Sequence, residues 1–303
     1  MKCLVTGGAG FIGSNLVDRL IDDGHEVVII DNLSTGKKEN INPKAKFYNR
    51  DISKGNFNSH PNGIFEGVDV VFHTAALARV QPSIDDPVEF DKVNVGGTLA
   101  VLKASVDAGV KRFVYSASSS AYGSTDKLPQ KETDPTDPLS PYGVQKMVGE
   151  IYCTMFPKVY DIETVSLRYF NVYGERQSLE GAYCLVMGIF AQQRLRGEPM
   201  TINGDGNQRR DFTYVGDVVD ANIRAATSDK VGNGEVINIG NGENRSVNQL
   251  ANLIGGNRKH REPVIEPFAT LANNKKAREL LGWKPTMVLE DWVIKYKKDL
   301  GLI

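Results

Sequence analysis

A glycine-rich turn near the amino terminus limits the possible folds more than any other feature of this sequence. The stretch Gly7-Gly8-Ala9-Gly10-Phe11-Ile12-Gly13 follows a short apolar run at residues 2–6 and precedes a helical pattern at 11–23. Glycine in a strand-to-helix turn lets the backbone approach a pyrophosphate, whose charge then faces the free N–H groups of the helix. We therefore predict that Gly7, Gly10 and Gly13 form a dinucleotide-binding turn; the alternative is a turn that merely connects a strand to a helix.

Short apolar runs and helical patterns alternate through the first half of the chain. The runs are 2–6, 26–31, 68–73 and 112–116, and the helical patterns are 11–23, 87–108 and 140–156, with Pro157 predicted to end the last one. Such alternation is typical of βαβ units around a buried parallel sheet. We predict an α/β Rossmann fold with a doubly wound parallel sheet.

The second half has a less regular pattern after Asn171. Helices are predicted at 185–196, 217–228, 247–254, 273–281 and 289–300, whereas residues 255–268 have no clear pattern. We predict a discontinuous division of the chain. Residues 1–170 and 212–230 form the NAD-binding Rossmann domain, and residues 171–211 and 231–303 form a smaller α/β lobe that binds the substrate.

Charge and cysteine content narrow the class of partner. Lysine and arginine number 36 against 37 aspartates and glutamates, so the net charge is -1 and no global attraction to nucleic acid or an anionic membrane is expected. Cys3, Cys153 and Cys184 lie far apart, which argues against a disulfide framework and a zinc site. We expect a cytoplasmic protein with a small-molecule partner, and no metal, nucleic-acid or membrane partner.

The end of the second predicted strand favours one cofactor. Asp31 lies 18 residues after Gly13, where a carboxylate accepts hydrogen bonds from an adenosine ribose and repels a 2′-phosphate. NAD is therefore predicted in preference to NADP, although Lys37 and Lys38 lie close in sequence. Asp51 follows the predicted third strand and either borders the adenine or is an exposed turn residue.

A tyrosine and a lysine are placed for acid–base chemistry. Tyr142 and Lys146 lie at i and i+4 of a predicted helix, so their side chains share one face. An unperturbed tyrosine pKa of about 10 is too high for an efficient base at neutral pH. A lysine cation and an oxidised nicotinamide nearby would lower the pKa of Tyr142.

Several motifs together resemble one enzyme family, the extended short-chain dehydrogenases. They are the N-terminal glycines, VNVGGT with Asn94, the serine cluster at 116–120, SPYGVQK, LRYFNVYG, INGDGNQRRDF and LGWKP, and they span essentially the whole chain. Within this family the chain is similar to the NAD-dependent nucleotide-sugar 4-epimerases of UDP-N-acetylglucosamine and UDP-glucose. The resemblance implies that Tyr142 accepts the proton, Lys146 holds the nicotinamide ribose and Ser118 hydrogen-bonds the reacting oxygen.

The same resemblance implies two sets of binding residues. The implied cofactor contacts are Gly7, Gly10, Phe11, Ile12, Gly13, Asp31, Asn32, Asp51, Ile52, Ala75, Ala76, Asn94, Ser116, Tyr142, Lys146 and Tyr169. The implied substrate contacts are Ala78, Ser118, Ser119, Asn171, Val186, Thr201, Asn203, Arg210 and Thr270. Of these, Asn171 and Arg210 would bind the diphosphate. Without the resemblance they would be a turn residue and a solvated arginine.

The residues after Ser118 favour epimerisation within this family. Related dehydratases and decarboxylases carry carboxylates just after the catalytic hydroxyl, whereas this chain has Ser119 and Ser120. Serine cannot replace a carboxylate as an acid or base near neutral pH. The small residues Thr270 and Ala78 favour UDP-GlcNAc/UDP-GalNAc, with UDP-Glc/UDP-Gal as the alternative.

Three arginines leave other interpretations of the substrate site open. The second phosphate-binding arginine is either Arg261 or Arg258, because the usual R-x-G-D/E segment is absent. Arg79 suits a uronic acid carboxylate, so a UDP-glucuronate 4-epimerase or another nucleotide-sugar oxidoreductase is an alternative. A non-enzymatic NAD sensor fits the intact catalytic residues poorly.

The resemblance also implies a homodimer formed through helices 87–108 and 140–156. His73 is interpreted as a packed, hydrogen-bonded histidine.

Overall fold

A seven-stranded parallel sheet forms the centre of the protein. The computed structural model describes residues 1–55, 57, 63–178, 185–264 and 266–303. The strands are β1 (Lys2–Thr6), β2 (Glu26–Asp31), β3 (Lys46–Asn49), β4 (Val70–His73), β5 (Arg112–Ser118), β6 (Glu163–Tyr169), β7 (Val172–Tyr173), β8 (Met200–Asn203), β9 (Arg209–Asp211), β10 (Thr213–Tyr214), β11 (Asn233–Ile239), β12 (Asn244–Ser246) and β13 (Arg258–Arg261). The central sheet has the order β11-β6-β5-β4-β1-β2-β3.

Helices cover both faces of this sheet. They are α1 (Phe11–Asp22), α2 (Val80–Asp85), α3 (Pro87–Asp91), α4 (Thr98–Asp107), α5 (Pro141–Val159), α6 (Val186–Leu195), α7 (Val215–Thr227), α8 (Val247–Ile254), α9 (Lys275–Leu281) and α10 (Leu289–Asp299). One apolar cluster packs α1 and α7 against the sheet, and a second packs α4 and α5 against its other face. The structure therefore confirms the predicted doubly wound α/β fold.

The central sheet extends further than the sequence indicated. Strands β6 and β11 were not among the predicted apolar runs, and residues 231–303 were assigned to the smaller lobe. That assignment does not hold for β11, which pairs in parallel with β6 at the edge of the sheet. Its sequence NGEVINI buries Ile237 and Ile239 but begins with polar residues, which hides the strand pattern. The division into two domains otherwise stays a prediction.

Helix α5 continues through the proline that was predicted to end it. Pro157 lies inside α5, which ends at Val159. A proline in a helix cannot donate to the carbonyl four residues earlier. Here that carbonyl, of Cys153, accepts a hydrogen bond from the Thr164 hydroxyl instead. The prediction was wrong because this compensating contact comes from strand β6.

The predicted helix at 87–108 is divided by a wider turn. Residues Lys92–Gly97 form a π-helical turn between α3 and α4. A Cβ atom on Gly97 would lie 2.8 Å from the Ile52 side chain, so glycine permits a close approach there. Such turns often occur at functional sites, and this one contains Asn94.

The smaller lobe has its own apolar core. Three short strand pairs, β7–β10, β8–β13 and β9–β12, surround a cluster that includes Phe190, Leu250 and Trp292. Strand β13 gives structure to part of the segment 255–268, which had no clear sequence pattern. Within the described part of the chain, no helix has the length and apolar character needed to cross a membrane.

Candidate active site

The glycine turn after β1 has the close contacts that a dinucleotide site requires. Gly7 has φ +71°, and its N–H donates to the Ile30 carbonyl at 2.7 Å. A Cβ atom on Gly13 would lie 2.1 Å from the Gly7 carbonyl oxygen, and one on Gly7 would lie 2.8 Å from the Ala75 backbone. Helix α1 begins after Gly10 with no side-chain cap and no acidic residue in its first turn. Its free N–H groups therefore suit an anionic pyrophosphate.

Asp31 lies beside this turn at the end of β2. Its carboxylate accepts hydrogen bonds from the Ala9 N–H at 3.0 Å and the Leu33 N–H at 2.8 Å. These contacts fix the carboxylate next to the glycine turn, where a ribose would lie. Together the glycines, the uncapped helix and Asp31 fit NAD.

The other predicted cofactor residues on this side have different surroundings. Phe11 and Ile12 are half-buried in the first turn of α1, and Asn32 is exposed. Asp51 accepts hydrogen bonds from the N–H and hydroxyl of Ser53, at 2.9 and 2.7 Å, and so caps the short helix that contains Ile52. Asp51 is half-buried there, so it is not the exposed turn residue of one prediction, and its contact with the adenine stays a prediction.

Asn94 holds the segment that follows β4. Its side chain accepts from the Leu77 N–H and donates to the Leu77 carbonyl, both at 2.9 Å. It also donates to the Gln145 side chain on α5 at 3.0 Å. Asn94 therefore fixes the half-buried segment 75–78, which includes the predicted cofactor residues Ala75 and Ala76 and the predicted substrate residue Ala78.

The three predicted catalytic residues come together at the carboxyl edge of the sheet. Ser118 ends β5, and its hydroxyl lies near enough to that of Tyr142, at the start of α5, to act on the tyrosine pKa. The Tyr142 N–H donates to the buried Ser83 hydroxyl at 3.1 Å, so α2 helps to place this tyrosine. One turn later, the Lys146 ammonium donates to the Ser116 carbonyl at 2.8 Å.

The protein's own groups do not make Tyr142 a stronger acid. Burial raises the pKa of Tyr142, and this effect exceeds the opposing effects of the nearby Ser118 hydroxyl and the Arg79 charge. The sequence predicts that Lys146 and an oxidised nicotinamide lower the pKa of Tyr142. The protein's own groups alone do not lower it. Burial also lowers the pKa of Lys146 to about 8. Lys146 is thus mostly charged at neutral pH and loses that charge as the pH rises.

Two further polar side chains near the catalytic residues, Tyr169 and His73, are hydrogen-bonded and uncharged. The Tyr169 hydroxyl hydrogen-bonds Ser116 at 3.0 Å and Asn222 at 2.8 Å, and burial raises the pKa of Tyr169 to about 12. His73 bonds Thr6 at 2.7 Å and Thr98 at 2.9 Å, and burial lowers the pKa of His73 to about 3. His73 is therefore the packed neutral histidine that the sequence predicts.

Two predicted substrate residues meet beyond the end of β6. Asn171, with φ +28°, donates to the Asp211 carbonyl at 3.0 Å and to the Thr270 hydroxyl at 3.2 Å. The neighbouring Arg210 is buried and forms an ion pair with Glu266 at 2.5 Å. The alternative of a solvated arginine is therefore wrong for Arg210.

The remaining predicted substrate residues lie around β8. Thr201 and Asn203 are half-buried, and Val186 is the first residue of α6. The Thr201 hydroxyl accepts from Gln193 on α6 at 2.9 Å. The Asn203 side chain accepts from Arg261, whereas Arg258 donates to Asn252 on α8. Arg261, not Arg258, thus contacts a predicted substrate residue.

Cys184, the third cysteine of the chain, lies outside the described residues.

Sequence reasoning missed two residues near the catalytic side chains, Ser83 and Glu150. Ser83 carries no sequence signal, because its contact with Tyr142 joins residues 59 apart in the chain. Glu150 does carry one, since it follows Lys146 by four residues and shares its helix face. Ser119 lies in the short helix Ser119–Tyr122, which Ser118 caps by accepting from the Ser120 N–H at 3.2 Å.

Comparisons with known proteins agree on one family. The family model described as the NAD dependent epimerase/dehydratase family matches residues 3–240. A putative UDP-glucose 4-epimerase of Methanocaldococcus jannaschii is 43% identical, covering 96% of this chain and 95% of that protein. The structure of the Thermotoga maritima UDP-glucose 4-epimerase with UDP-glucose is 40% identical with a TM-score of 0.91, covering 99% of this chain and 100% of that one.

Two further solved structures differ in the sugar that their names specify. A UDP-N-acetylglucosamine 4-epimerase from Methanobrevibacter ruminantium is 35% identical with a TM-score of 0.89, covering 99% of this chain and 95% of that one. A UDP-glucuronic acid 4-epimerase from Bacillus cereus, in complex with UDP-glucuronic acid and NAD, is 34% identical with a TM-score of 0.89. It covers 100% of this chain and 99% of that one. The similarity therefore extends over relatives with three different sugars.

Proposed function

Because this chain belongs to the NAD-dependent epimerase/dehydratase family, we propose that it interconverts the two C4 epimers of a UDP-sugar. Family membership confirms the predicted enzyme class, an NAD-dependent nucleotide-sugar epimerase, and the predicted cofactor, NAD. The observation that supports the proposal best is the placement of Ser118, Tyr142 and Lys146 together, at the end of β5 and on the first turns of α5, on the same sheet edge as the glycine turn.

The catalytic side chains have distinct roles in this proposal. Tyr142 acts as the phenolate, which the positive charges of Lys146 and the oxidised nicotinamide would favour; it removes the proton from the sugar 4-hydroxyl and later returns it, while Ser118 hydrogen-bonds the same oxygen. Bound NAD supplies the acceptor and donor of the C4 hydride. Lys146 holds the nicotinamide ribose and places a positive charge one turn from Tyr142. The 4-keto sugar turns over between the two steps, so the reaction has no net redox change.

The surroundings of Ser118 suit epimerisation without elimination. The Ser120 hydroxyl donates to the Ser118 hydroxyl at 2.9 Å and so orients it. Ser119 and Ser120 occupy the turn where dehydration would need a carboxylate as acid or base. The proposal also includes the remaining predicted cofactor and substrate contacts. It further includes the predicted division of the chain, in which the Rossmann domain binds NAD and the smaller lobe binds the UDP-sugar.

The proposed substrate pair is UDP-GlcNAc and UDP-GalNAc. Thr270 and Ala78 are small residues, and small residues here would leave space for an N-acetyl group. Thr270 also lies beside the proposed diphosphate residue Asn171. Purified protein should convert UDP-GlcNAc faster than UDP-Glc with no NAD added, as followed by NMR of the sugar C1 proton. In Thr270→Tyr, kcat/KM for UDP-GlcNAc should fall about 10–200-fold more than that for UDP-Glc, because pocket volume discriminates on this scale.

The UDP-Glc reaction of Thr270→Tyr serves as its own control for damage to the fold. Equal loss with both sugars would contradict the specificity proposal but not the epimerase proposal. No conversion of either sugar by the wild-type protein, even with NAD added, would contradict 4-epimerisation of both.

A uronic acid substrate is the second candidate. Arg79 lies close enough to Tyr142 for its charge to act on the tyrosine, and its φ of +97° shows that the backbone there is strained. A cation near the catalytic hydroxyl would suit a carboxylate on the sugar. Conversion of UDP-glucuronate, without conversion of the neutral sugars, would favour this candidate.

We also propose that the protein is a homodimer. Helices α3 and α5 expose an apolar surface that includes Val88, Val144 and Ile151, with 65%, 42% and 57% of these side chains exposed. Because a dimer of this type would join the two helices to their copies, Ile151→Asp should place a charge in the interface and yield monomers. Light scattering should give a mass near two chains for the wild type and one for Ile151→Asp. Ile294→Asp on α10, a residue 50% exposed, is the control. A monomeric wild type would contradict the proposal.

A further inference from the structure

A buried ion pair lies one helical turn beyond Lys146. Glu150 follows Lys146 by four residues on α5, so both side chains share one face. Its carboxylate accepts two hydrogen bonds from Arg168 on β6, Nε to Oε1 at 2.8 Å and Nη2 to Oε2 at 2.6 Å. Each side chain is only 5% exposed. A bidentate pair of this kind restricts orientation as well as distance.

Arg168 also contacts the turn that follows Ser118. Its guanidinium lies 4.6 Å from the centre of the Tyr122 ring. Tyr122 ends the short helix Ser119–Tyr122 that Ser118 caps, and its hydroxyl donates to Asn238 on β11 at 2.7 Å. One arginine therefore contacts both the helix that carries Tyr142 and the turn that begins at Ser118.

Glu150 is the carboxylate that faces Lys146 within the described part of the chain. The titratable groups that act on or contact Lys146 are His73 on β4, Tyr115 on β5, and Glu150 and Cys153 on α5. Arg168 on β6 pairs with Glu150, and Tyr142 lies one turn earlier on α5. Burial lowers the pKa of Lys146, and the negative charge of Glu150 opposes that change. Burial raises the pKa of Glu150, and Arg168 opposes that change in turn.

We propose that the Glu150–Arg168 pair is a positioning device for the catalytic centre. It fixes α5 against the turn that follows Ser118, and Glu150 supplies the negative charge that keeps Lys146 protonated. Neither residue is proposed to contact substrate or cofactor. The inference rests on the proposed function, because it assigns a role in that reaction.

The first test is Glu150→Gln, which keeps the shape of the side chain and removes its charge. Lys146 then loses a neighbouring anion and Arg168 is left as an uncompensated cation, and both changes favour neutral Lys146. The alkaline limb of the kcat–pH profile should therefore move to lower pH by roughly 0.5–1 unit. We expect kcat at pH 7 to fall about tenfold and KM to stay within about twofold, since only the reacting geometry and the charge of Lys146 change.

A second variant separates geometry from charge. Arg168→Lys retains the cation but replaces the planar bidentate donor with a point charge. We expect kcat to fall and the alkaline limb to stay within about 0.2 pH units of the wild type. If Glu150→Gln alone is too unstable to purify, Glu150→Gln/Arg168→Met removes both charges. No uncompensated cation then remains, so the alkaline limb should still move to lower pH but by less than roughly 0.5–1 unit, and no movement would contradict the role of the Glu150 charge.

The control breaks another ion pair of strand β6, which joins it to β5. Arg112 at the start of β5 donates to Glu163 at the start of β6, Nε to Oε2 at 2.7 Å. Glu163→Gln should leave the pH profile and kcat unchanged. If the wild type is active and the profiles of Glu150→Gln and Glu163→Gln coincide with it, the positioning role is wrong. An inactive wild type would instead contradict the proposed function.

Discussion

Replacing Tyr142 by phenylalanine should lower kcat by about 10²–10⁴-fold and leave KM within a few-fold of the wild type. The change removes only the hydroxyl that transfers the proton, and the helix that carries the ring remains fixed by Ser83 and by the Ser140 cap. When a substitution removes an interaction that forms mainly in the transition state, kcat falls and KM changes little. Initial rates by NMR over a range of substrate concentrations provide the measurement.

A second tyrosine on the same helix is the control for this substitution. Tyr152 lies ten residues further along α5 and packs edge-on against Phe156, with ring centres 6.4 Å apart. Tyr152→Phe should retain the wild-type kcat. If Tyr142→Phe retains more than about a tenth of the wild-type kcat, below the usual effect of an acid–base residue, Tyr142 is not the proton acceptor.

Gly13→Ala should weaken NAD binding at least about tenfold, equivalent to ~1.4 kcal/mol. A Cβ atom at this position would lie 2.1 Å from the Gly7 carbonyl oxygen and 2.8 Å from the Thr74 hydroxyl. Backbone cannot move aside as a flexible side chain can, so the turn must open and α1 must shift. Overpacking of this kind also costs about 1–3 kcal/mol of folding stability. The measurements are the NAD released per chain on denaturation and the affinity of the stripped protein for NAD.

Gly96→Ala is the matched substitution for this experiment. A Cβ atom on Gly96 meets nothing within 4 Å, although the residue lies in the functional turn that contains Asn94. NAD content and stability should stay at wild-type values. Retention of full NAD content by Gly13→Ala would contradict the assignment of the glycine turn to the cofactor.

The fold is predictable where short-range patterns determine it. Strands β1 and β2 begin and end where their apolar runs do, because they are buried on both faces and flanked by a glycine turn and a helix. Strand β11 was missed because its polar first residues hide the pattern and its partner β6 is far away in sequence. Helix α5 continues beyond Pro157 because the Cys153 carbonyl accepts a hydrogen bond from the Thr164 hydroxyl on β6. A rule based on the helix sequence alone does not include this donor.

The sequence predicts the elements that carry the candidate catalytic residues but not the contacts within the site. The spacing of Tyr142 and Lys146 gives a shared helix face, and the end of β5 places Ser118 at the sheet edge. The contact of Asn171 with Thr270 joins residues 99 apart, so it depends on how the smaller lobe packs. Asn94 was predicted to bind NAD, and the structure shows it holding the backbone of Leu77.

The most direct test of the account follows a deuterium atom at C4 of the sugar. UDP-GlcNAc and UDP-Glc, each deuterated at C4, are incubated with the purified protein in ordinary water with no NAD added. If Tyr142 removes the hydroxyl proton while C4 hydride is transferred and returned, the product epimer retains deuterium at C4. Protium at C4 of the product, or no epimer from either sugar even after NAD is added, would contradict 4-epimerisation by this route.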